Sequence, residues 1–500
     1  MIKRWNHFID GNSIPPTTNT YLDIINPATG KVIAEAANGC EKDTDLAVSA
    51  AKNAFENSAW RDFTLQDRSK LLAAISQLLL QNLDELANLD VQSCGGTISR
   101  MKNFDLPAAA DIFRYYAEAI NHYPFVEHPV SRPLPEVWNS VVTREPVGVC
   151  ALITAWNAPI LLLAMKLAPA LAAGCTVVIK PSELTPTSTL RIAELLSTLL
   201  PAGVVNVVNG IGSVVGERLS LHPDVRKISF TGSTRIGTQI QVNAALTTKR
   251  VTLEMGGKGP ALVLADANMP LTTRGAAFGV LLNSGQACES GTRLLVHESV
   301  HDELISSLSS LMQSLTCGDP SSPNTGIGAI SSKAHLERIQ SYIDSAKNEG
   351  AVIACGGERA VVPGCEDGFY FKPTLITNVN NDMKVAREEI FGPVLCVIKY
   401  SDINDAIKMA NDTQYGLSAG IWTTDIAYAQ SLAKKLHAGS VWINDWHMIR
   451  SDLPFGGFKQ SGIGRELGAY ALDSYVELKA VTTAFESNPE RKALHTLVLK

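Results

Sequence analysis

The sequence predicts an α/β protein made of two doubly wound α/β domains with a small β element attached. Three observations carry that prediction. Short β-rich runs alternate with helical runs from residue 146 onward, a second alternating series begins near Pro260, and the runs between are punctuated by Gly and Pro. Alternation of this kind builds parallel sheets covered by helices on both faces.

Size and composition agree with that class. The chain has 500 residues, 45% hydrophobic and 18% charged, enough to fill large cores, which excludes a disordered or disulfide-stapled peptide. Two large domains are expected at this length. Early on, DRSKLLAAISQLLLQNLDELANLD (67–90) reads as one structural helix with clear 3.6-residue apolar periodicity. The stretch 122–144 holds Pro124, Pro129, Pro133 and Pro135 and runs into SVVTRE, so it reads as an excursion from the core. With VELKAVTTAFE near the C-terminus it could supply edge strands for subunit pairing.

Residues 147–165 form nineteen uncharged positions, long enough to cross a bilayer. The break at Trp156-Asn157-Ala158-Pro159 argues otherwise: it divides the stretch into a strand, VGVCALIT, and a helix, ILLLAMKLAPALAAG, that carries Lys166. CTVVIKP then completes a strand-helix-strand unit. ELTPTSTLRIAELLSTL, VVGERLSLH and TRIGTQIQVNAA follow as helices between the strands VVNVVNG, KISFTGS and RVTLEMGG. The second series comprises ALVLAD, a helix through Leu281, RLLVHE, a helix from Ser299, then AVIACGG, FKPTLIT, VLCVIKY, AGIWTT and GSVWIN.

A net charge of -6 with no long run of one sign makes nucleic acid and anionic membrane poor partners. Nine scattered cysteines with no C-x-x-C pair fit free thiols in a reducing compartment, and MIKRWNHFIDGN lacks the apolar core of a secretory signal. Cytoplasmic residence is the expectation.

Several motifs carry chemistry, and each has a plainer reading. His297-Glu298-Ser299-Val300-His301 matches the zinc-binding H-E-x-x-H pattern, but RLLVHE reads as a strand and Ser299 as an N-cap, so the histidines straddle a turn. No metal is expected. Phe230-Thr231-Gly232-Ser233-Thr234-Arg235-Ile236-Gly237 closes a strand and opens a helix, an anion site suited to pyrophosphate, or an ordinary turn. Lys180 in Lys180-Pro181-Ser182-Glu183 adds a donor at a sheet edge, where a lone lysine is otherwise solvated. Cys288 sits among small residues in Asn283-Ser284-Gly285-Gln286-Ala287-Cys288-Glu289-Ser290-Gly291, which suits a nucleophile although most cysteines are inert. Glu254 ends a strand before Met255-Gly256-Gly257, a place for a general base or for a surface carboxylate.

Taken in order, Lys180-Pro181-Ser182-Glu183, Phe230-Thr231-Gly232-Ser233-Thr234, Leu253-Glu254-Met255-Gly256-Gly257-Lys258, Gly285-Gln286-Ala287-Cys288, Glu388-Glu389-Ile390-Phe391-Gly392-Pro393 and Pro454-Phe455-Gly456-Gly457-Phe458-Lys459-Gln460-Ser461-Gly462 resemble the NAD(P)-dependent aldehyde dehydrogenases over essentially the whole chain. The resemblance implies an NAD-binding domain from residues 1–122 and 146–256, and a catalytic domain from 257–470. Residues 123–145 and 471–500 would form an oligomerisation element and C-terminal tail, in a homodimer or homotetramer.

It further implies Cys288 as nucleophile, Asn157 and the Cys288 backbone N–H as oxyanion donors, and Glu254 as the base that hydrolyses a thioester. Lys166 and Glu466 match a proton relay toward that base. For NAD, the resemblance implies contacts from Ile153, Trp156, Lys180, Glu183, Gly212, Gly232, Ser233, Thr234, Gly237, Glu389 and Phe391. Glu183 would repel a 2′-phosphate, which predicts NAD over NADP.

Glu254 argues for hydrolysis over transfer to CoA, since the CoA-acylating branch typically lacks this glutamate. A CoA-acylating enzyme and a non-catalytic member of the fold are the alternatives. The chain departs from the usual pattern at Ala158 and Met165, where larger side chains are common, so a wide tunnel for a bulky, apolar aldehyde is expected. Glu289 and the segment Asp445-Trp446-His447-Met448-Ile449-Arg450 are expected to bring charge to its mouth.

Overall fold

The structure, a computed structural model, describes residues 2–130, 138–492 and 494–499. Two sheets dominate. The first has eight strands, and its parallel core runs in the spatial order Arg250–Glu254, Val225–Thr231, Val149–Ile153, Thr176–Lys180, Val205–Val207. The strand order therefore reverses between Val149–Ile153 and Val225–Thr231, the switch point at which open α/β sheets leave a crevice.

Both faces are covered, which is why Val149–Ile153 and Thr176–Lys180 are buried at every position. The helix Pro159–Ala173 is buried along its whole length, and Pro169 sits within it without ending it. Two antiparallel additions extend the sheet. His7–Ile9 and Asn12–Ile14 lie at one edge, and Gly462–Ile463 returns from far along the chain to pair with Leu253 and Glu254 at the other.

The second sheet has seven strands in the order Val352–Cys355, Thr374–Thr377, Val394–Tyr400, Arg293–His297, Pro260–Val263, Ser418–Trp422, Ser440–Ile443. All are parallel to their neighbours except Val352–Cys355. A third sheet joins Val476–Ala484 to Trp138–Pro146 in antiparallel register from Val476↔Pro146 to Ala484↔Trp138, with Val126–Glu127 beyond. Pro133 and Pro135 of the expected excursion lie outside the described residues.

Three expectations need correction. The single helix read over 67–90 is two, Leu65–Gln81 and Leu83–Cys94, because Asn82 leaves the helical region and its side-chain amide donates to the Leu78 carbonyl at 2.8 Å. The N-cap expected at Ser299 is His297, whose Nδ1 accepts from the Ser299 backbone at 3.2 Å. A three-stranded sheet of Lys3–Trp5, Lys31–Ala37 and Tyr21–Asn26 was not foreseen. No helix among the described residues is long and apolar enough to cross a membrane.

Candidate active site

The C-terminal edge of the first sheet faces the segments that enter the N-terminal edge of the second. Strands Val149–Ile153, Val225–Thr231 and Arg250–Glu254 deliver Asn157 and Gly232 past their ends and Glu254 at its own. From the opposite side, Cys288 precedes strand Arg293–His297, and Glu389 and Phe391 precede its neighbour Val394–Tyr400. Between them is a cavity of about 230 Å³ lined by Trp156, Asn157, Gly232, Ser233, Glu254, Cys288, Glu389 and Phe391, together with His335 and Arg338.

The nucleophile loop is held by strain and hydrogen bonds together. Asn283 and Ser284 adopt φ of 53° and 56°, a left-handed conformation that non-glycine residues rarely take. They are fixed by Asn283 Nδ2 donating to the Asn157 carbonyl at 2.9 Å and Ser284 Oγ to the Gly328 carbonyl at 3.0 Å. Gly285 has φ of 75° and its missing Cβ would lie 2.0 Å from the Gly392 carbonyl oxygen, so only glycine passes here. Gln286 completes the clamp, donating to the carbonyls of Asn283 and Ala329 and accepting from Ser331 N at 2.9 Å.

Asn157 is buried, and its Nδ2 donates to the Gln286 carbonyl at 3.0 Å, which leaves a second N–H. The loop before Cys288 thus aims the amide. Burial pushes the Cys288 thiol well above its usual range, and the carboxylates of Glu289, Glu389 and Glu254 push the same way. Its Sγ lies 3.3 Å from Glu289 Oε2.

Glu254 is 3% exposed, and neither carboxylate oxygen has a hydrogen-bond partner among the described residues. Burial raises its pKa, Glu466 adds to that, and Lys166 and Arg465 oppose it. Lys166 is wholly buried and ion-paired with Glu466, which also accepts from Ser229 Oγ at 2.9 Å. These two lie behind Glu254 and outside the cavity lining.

The remaining predicted cofactor residues divide. Glu389 Oε1 accepts from Gly257 N at 3.0 Å, and burial pushes its pKa to about 7 against that bond. Trp156 stacks edge-on to Phe391 and His335 at 5.2 and 5.3 Å. Ser233 caps the helix Thr234–Ala245, accepting from Ile236 N at 3.5 Å, with Gly232 just outside it. Gly237 lets that helix close on Met255, and Thr234 Oγ1 donates to the Gln460 carbonyl at 3.4 Å.

Ile153, at its strand end, and Gly212, beside open space, do not line this cavity, nor do Thr234 and Gly237. Lys180, expected as a donor at the sheet edge with solvation as the plainer reading, is 3% exposed, with Nζ donating to the Pro181 carbonyl at 2.8 Å and to Glu183 Oε2 at 3.2 Å. The pair sits at the edge of the switch-point crevice.

His335 and Arg338 were missed because they stand on the helix Lys333–Asn348, where no motif marks them. His335 Nε2 bonds the Phe391 carbonyl at 2.6 Å, and burial drops its pKa to about 4, so the ring is neutral and donates. Arg338 donates to the Glu389 carbonyl at 3.1 Å. A second correction concerns charge: Glu289 and His447, expected at the mouth, are 6% and 4% exposed and bonded to each other. The H-E-x-x-H histidines end a strand and begin a helix, and no three candidate metal ligands cluster among the described residues. All nine cysteines are free.

Comparison with known proteins gives one family. The model of the aldehyde dehydrogenase family matches residues 14–481. An aldehyde dehydrogenase 1 of Tanacetum cinerariifolium is 41% identical over 490 residues, covering 98% of this chain and 97% of its own. An aldehyde dehydrogenase of Alternaria alternata is 40% identical over 477 residues, covering 95% and 94%. Among solved structures, the NAD+ complex of an aldehyde dehydrogenase from Bacillus cereus superposes with a TM-score of 0.92 at 38% identity, covering 97% of each chain. A betaine aldehyde dehydrogenase from Staphylococcus aureus in complex with NAD+ gives 0.93 at 38% identity, covering 96% and 94%.

Proposed function

This chain belongs to the aldehyde dehydrogenase family and is an NAD-dependent aldehyde dehydrogenase; from that premise we propose that it hydrolyses its thioester intermediate to the carboxylic acid instead of passing it to CoA. Supporting this above all is Glu254, a buried carboxylate with both oxygens unpartnered, opening on the cavity it shares with Cys288. A carboxylate left without a partner in such a place is free to receive a proton from water.

Cys288 Sγ adds to the aldehyde carbon, and the oxygen, now an anion, is held by the spare N–H of Asn157 and the backbone N–H of Cys288. NAD, when bound, supplies the acceptor for the hydride that leaves the substrate carbon. Glu254 then draws a proton from the water that attacks the thioester, and the acid departs. Burial and Glu466 make Glu254 a stronger base once ionised, while Lys166 and Arg465 help it ionise. Lys166 and Glu466 act behind it, setting that balance and relaying its proton.

The residues present fit the dinucleotide. Gly232 and Ser233 open the 12-residue helix Thr234–Ala245 toward the cavity, offering backbone N–H groups to a pyrophosphate, with Thr234 and Gly237 shaping the turn. Glu389 and Phe391 flank the reacting end, beside Trp156, with Ile153 at the strand end that leads to it. Lys180 and Glu183 meet the adenosine ribose, Gly212 keeps the neighbouring space clear, and Glu183 disfavours a 2′-phosphate. NAD is thus preferred to NADP, a preference read from the ratio of the two kcat/KM values.

The substrate is a bulky, apolar aldehyde. Ala158, Leu161, Met165, Ile449 and Phe455 pack in one apolar cluster that Cys288 also touches. A cleft of about 340 Å³ beside it has a floor of Phe104, Ala108, Ile112, Leu161 and Ile449 under a rim of Asp111, Arg114, Arg450 and Asp452. Residues 1–122 and 146–256 form the cofactor half and 257–470 the catalytic half. The third sheet, with Leu478 and Val481 exposed, pairs subunits of a homo-oligomer, and nine free thiols suit the cytoplasm.

The test is NADH formation from NAD with aliphatic, aromatic and terpenoid aldehydes, with and without CoA, alongside Cys288→Ala. Turnover without CoA that disappears in the variant is expected; a CoA requirement overturns the hydrolytic reading, and a preference for two-carbon aldehydes overturns the apolar one.

A further inference from the structure

Thioester hydrolysis moves two protons: one leaves the attacking water, and one returns to the departing sulfur to restore the thiol. Glu254 serves the first. Next to Cys288 in the chain stands a second buried carboxylate, Glu289, whose two oxygens do different things. Oε2 lies 3.3 Å from Cys288 Sγ, and Oε1 lies 2.8 Å from His447 Nδ1. An ionised carboxylate only accepts, so Nδ1 carries the hydrogen it donates, and Nε2 is buried without a partner among the described residues.

The backbone on both sides is fixed. The Glu289 carbonyl accepts from Trp446 Nε1 at 2.8 Å and from Ser418 Oγ at 2.7 Å, and His447 is held at φ of 58° with its ring edge-on to Phe278 at 5.2 Å. Three groups in hydrogen-bond sequence, thiol to carboxylate to imidazole, are thereby lined up beside the nucleophile.

We propose that Glu289 is a second catalytic carboxylate, taking the Cys288 thiol proton as the sulfur attacks and returning it as the thioester breaks, with His447 as its positioning residue. The proposal rests on Cys288 being the nucleophile. In the first step the S–C bond forms, the S–H pair stays on sulfur, the proton passes to Glu289 Oε2, and the carbonyl π pair moves to oxygen. In the last, water adds to the thioester carbon and loses its proton to Glu254. The C–S bond breaks with its pair on sulfur, and Glu289 protonates the thiolate.

The environments of the two carboxylates suit opposite duties. Other charges near this array are Asp105, ion-paired with Arg100 at 2.8 Å, and Glu389 and Glu254 across the cavity. Burial raises Glu289, but the bond and charge of His447 outweigh it, so the carboxylate rests ionised and ready to accept.

Electrostatics and proton transfer make opposite predictions for removing this carboxylate, which decides the matter. Iodoacetamide labelling of Cys288 in the full-length protein without aldehyde, located by peptide mass spectrometry, measures thiol reactivity directly. At pH 7, Glu289→Gln is expected to label at least about tenfold more slowly than wild type, with a residual rate rising steadily with pH. Equal or faster labelling overturns the proposal, because a carboxylate that merely repels the thiolate frees it when neutralised.

His447→Gln serves where that variant does not fold. It still donates to Glu289 but cannot carry charge, so the acid limb of the labelling profile should move up by about half a pH unit or more. An unmoved limb overturns the proposal. Turnover persisting in Cys288→Ala would sink the nucleophile reading itself, whereas lost turnover with undiminished labelling in Glu289→Gln sinks this proposal alone.

Discussion

Two buried glutamates near Cys288 stand in contrasting states. Glu254 is unpartnered at both oxygens, backed by the Lys166–Glu466 pair, and its pKa is raised; Glu289 is engaged at both oxygens and its pKa is lowered. Burial acts on both alike. What separates them is whether a cation or donor touches the carboxylate directly or stands one residue behind it. Proximity to the nucleophile therefore does not define a role; hydrogen-bond occupancy does.

The largest expected effect tests that division. Glu254→Gln should lower steady-state turnover about 10²–10⁴-fold while the first-turnover burst of NADH survives in rapid-mixing kinetics. Equal loss of burst and steady state would break the comparison, by giving Glu254 the thiol as well as the water. Asn157→Ala, which serves both steps, should cost about 10²–10³-fold in the burst rate and in kcat together, and a loss confined to one phase would mean that its amide serves only that step.

Glu466→Gln sharpens the account of the first of these glutamates. Glu466 raises Glu254, so its neutralisation lowers that pKa and keeps the base ionised to more acidic conditions. The acid limb of the pH–kcat profile should move down by about one unit, and an upward shift would refute the assigned sign.

A smaller effect concerns Glu389. Its folded pKa of about 7 lies above the unfolded value of a glutamate, so its contribution to stability is full below about pH 4.5 and lost as pH rises through 7. Glu389→Gln should therefore gain on wild type in melting temperature from pH 5 to pH 8, by at most about 3 kcal/mol in stability. Thermal scans of the cofactor-free protein at both pH values check it.

Much of this architecture was legible in the chain because its signals are local. The βαβ alternation and the turn residues at strand ends sit within short windows, and Gly285 and Gly232 mark turns in place. What escaped depends on long-range closure. Gly462–Ile463 is a two-residue strand defined only by its partner. Asn82 interrupts a helix whose apolar periodicity runs straight through it. His335 and Arg338 enter the cavity from a helix face that looks like any amphipathic surface. Glu289 and His447 each read as surface charge, and only their meeting buries both.

The return of the chain to the first sheet has a consequence for biosynthesis. Ser461 bonds the backbone at Met255 and the Gly256 carbonyl, Gly462 pairs with Glu254, and Glu466 supplies the ion-pair partner of Lys166. A nascent chain emerging from the ribosome thus exposes its nucleophile at position 288 well before residues 461–466 arrive to seat the base. Domains fold largely as they are made, so a chain truncated before residue 461 is expected to lack a seated base, which hydrolysis assays of such a truncation would check.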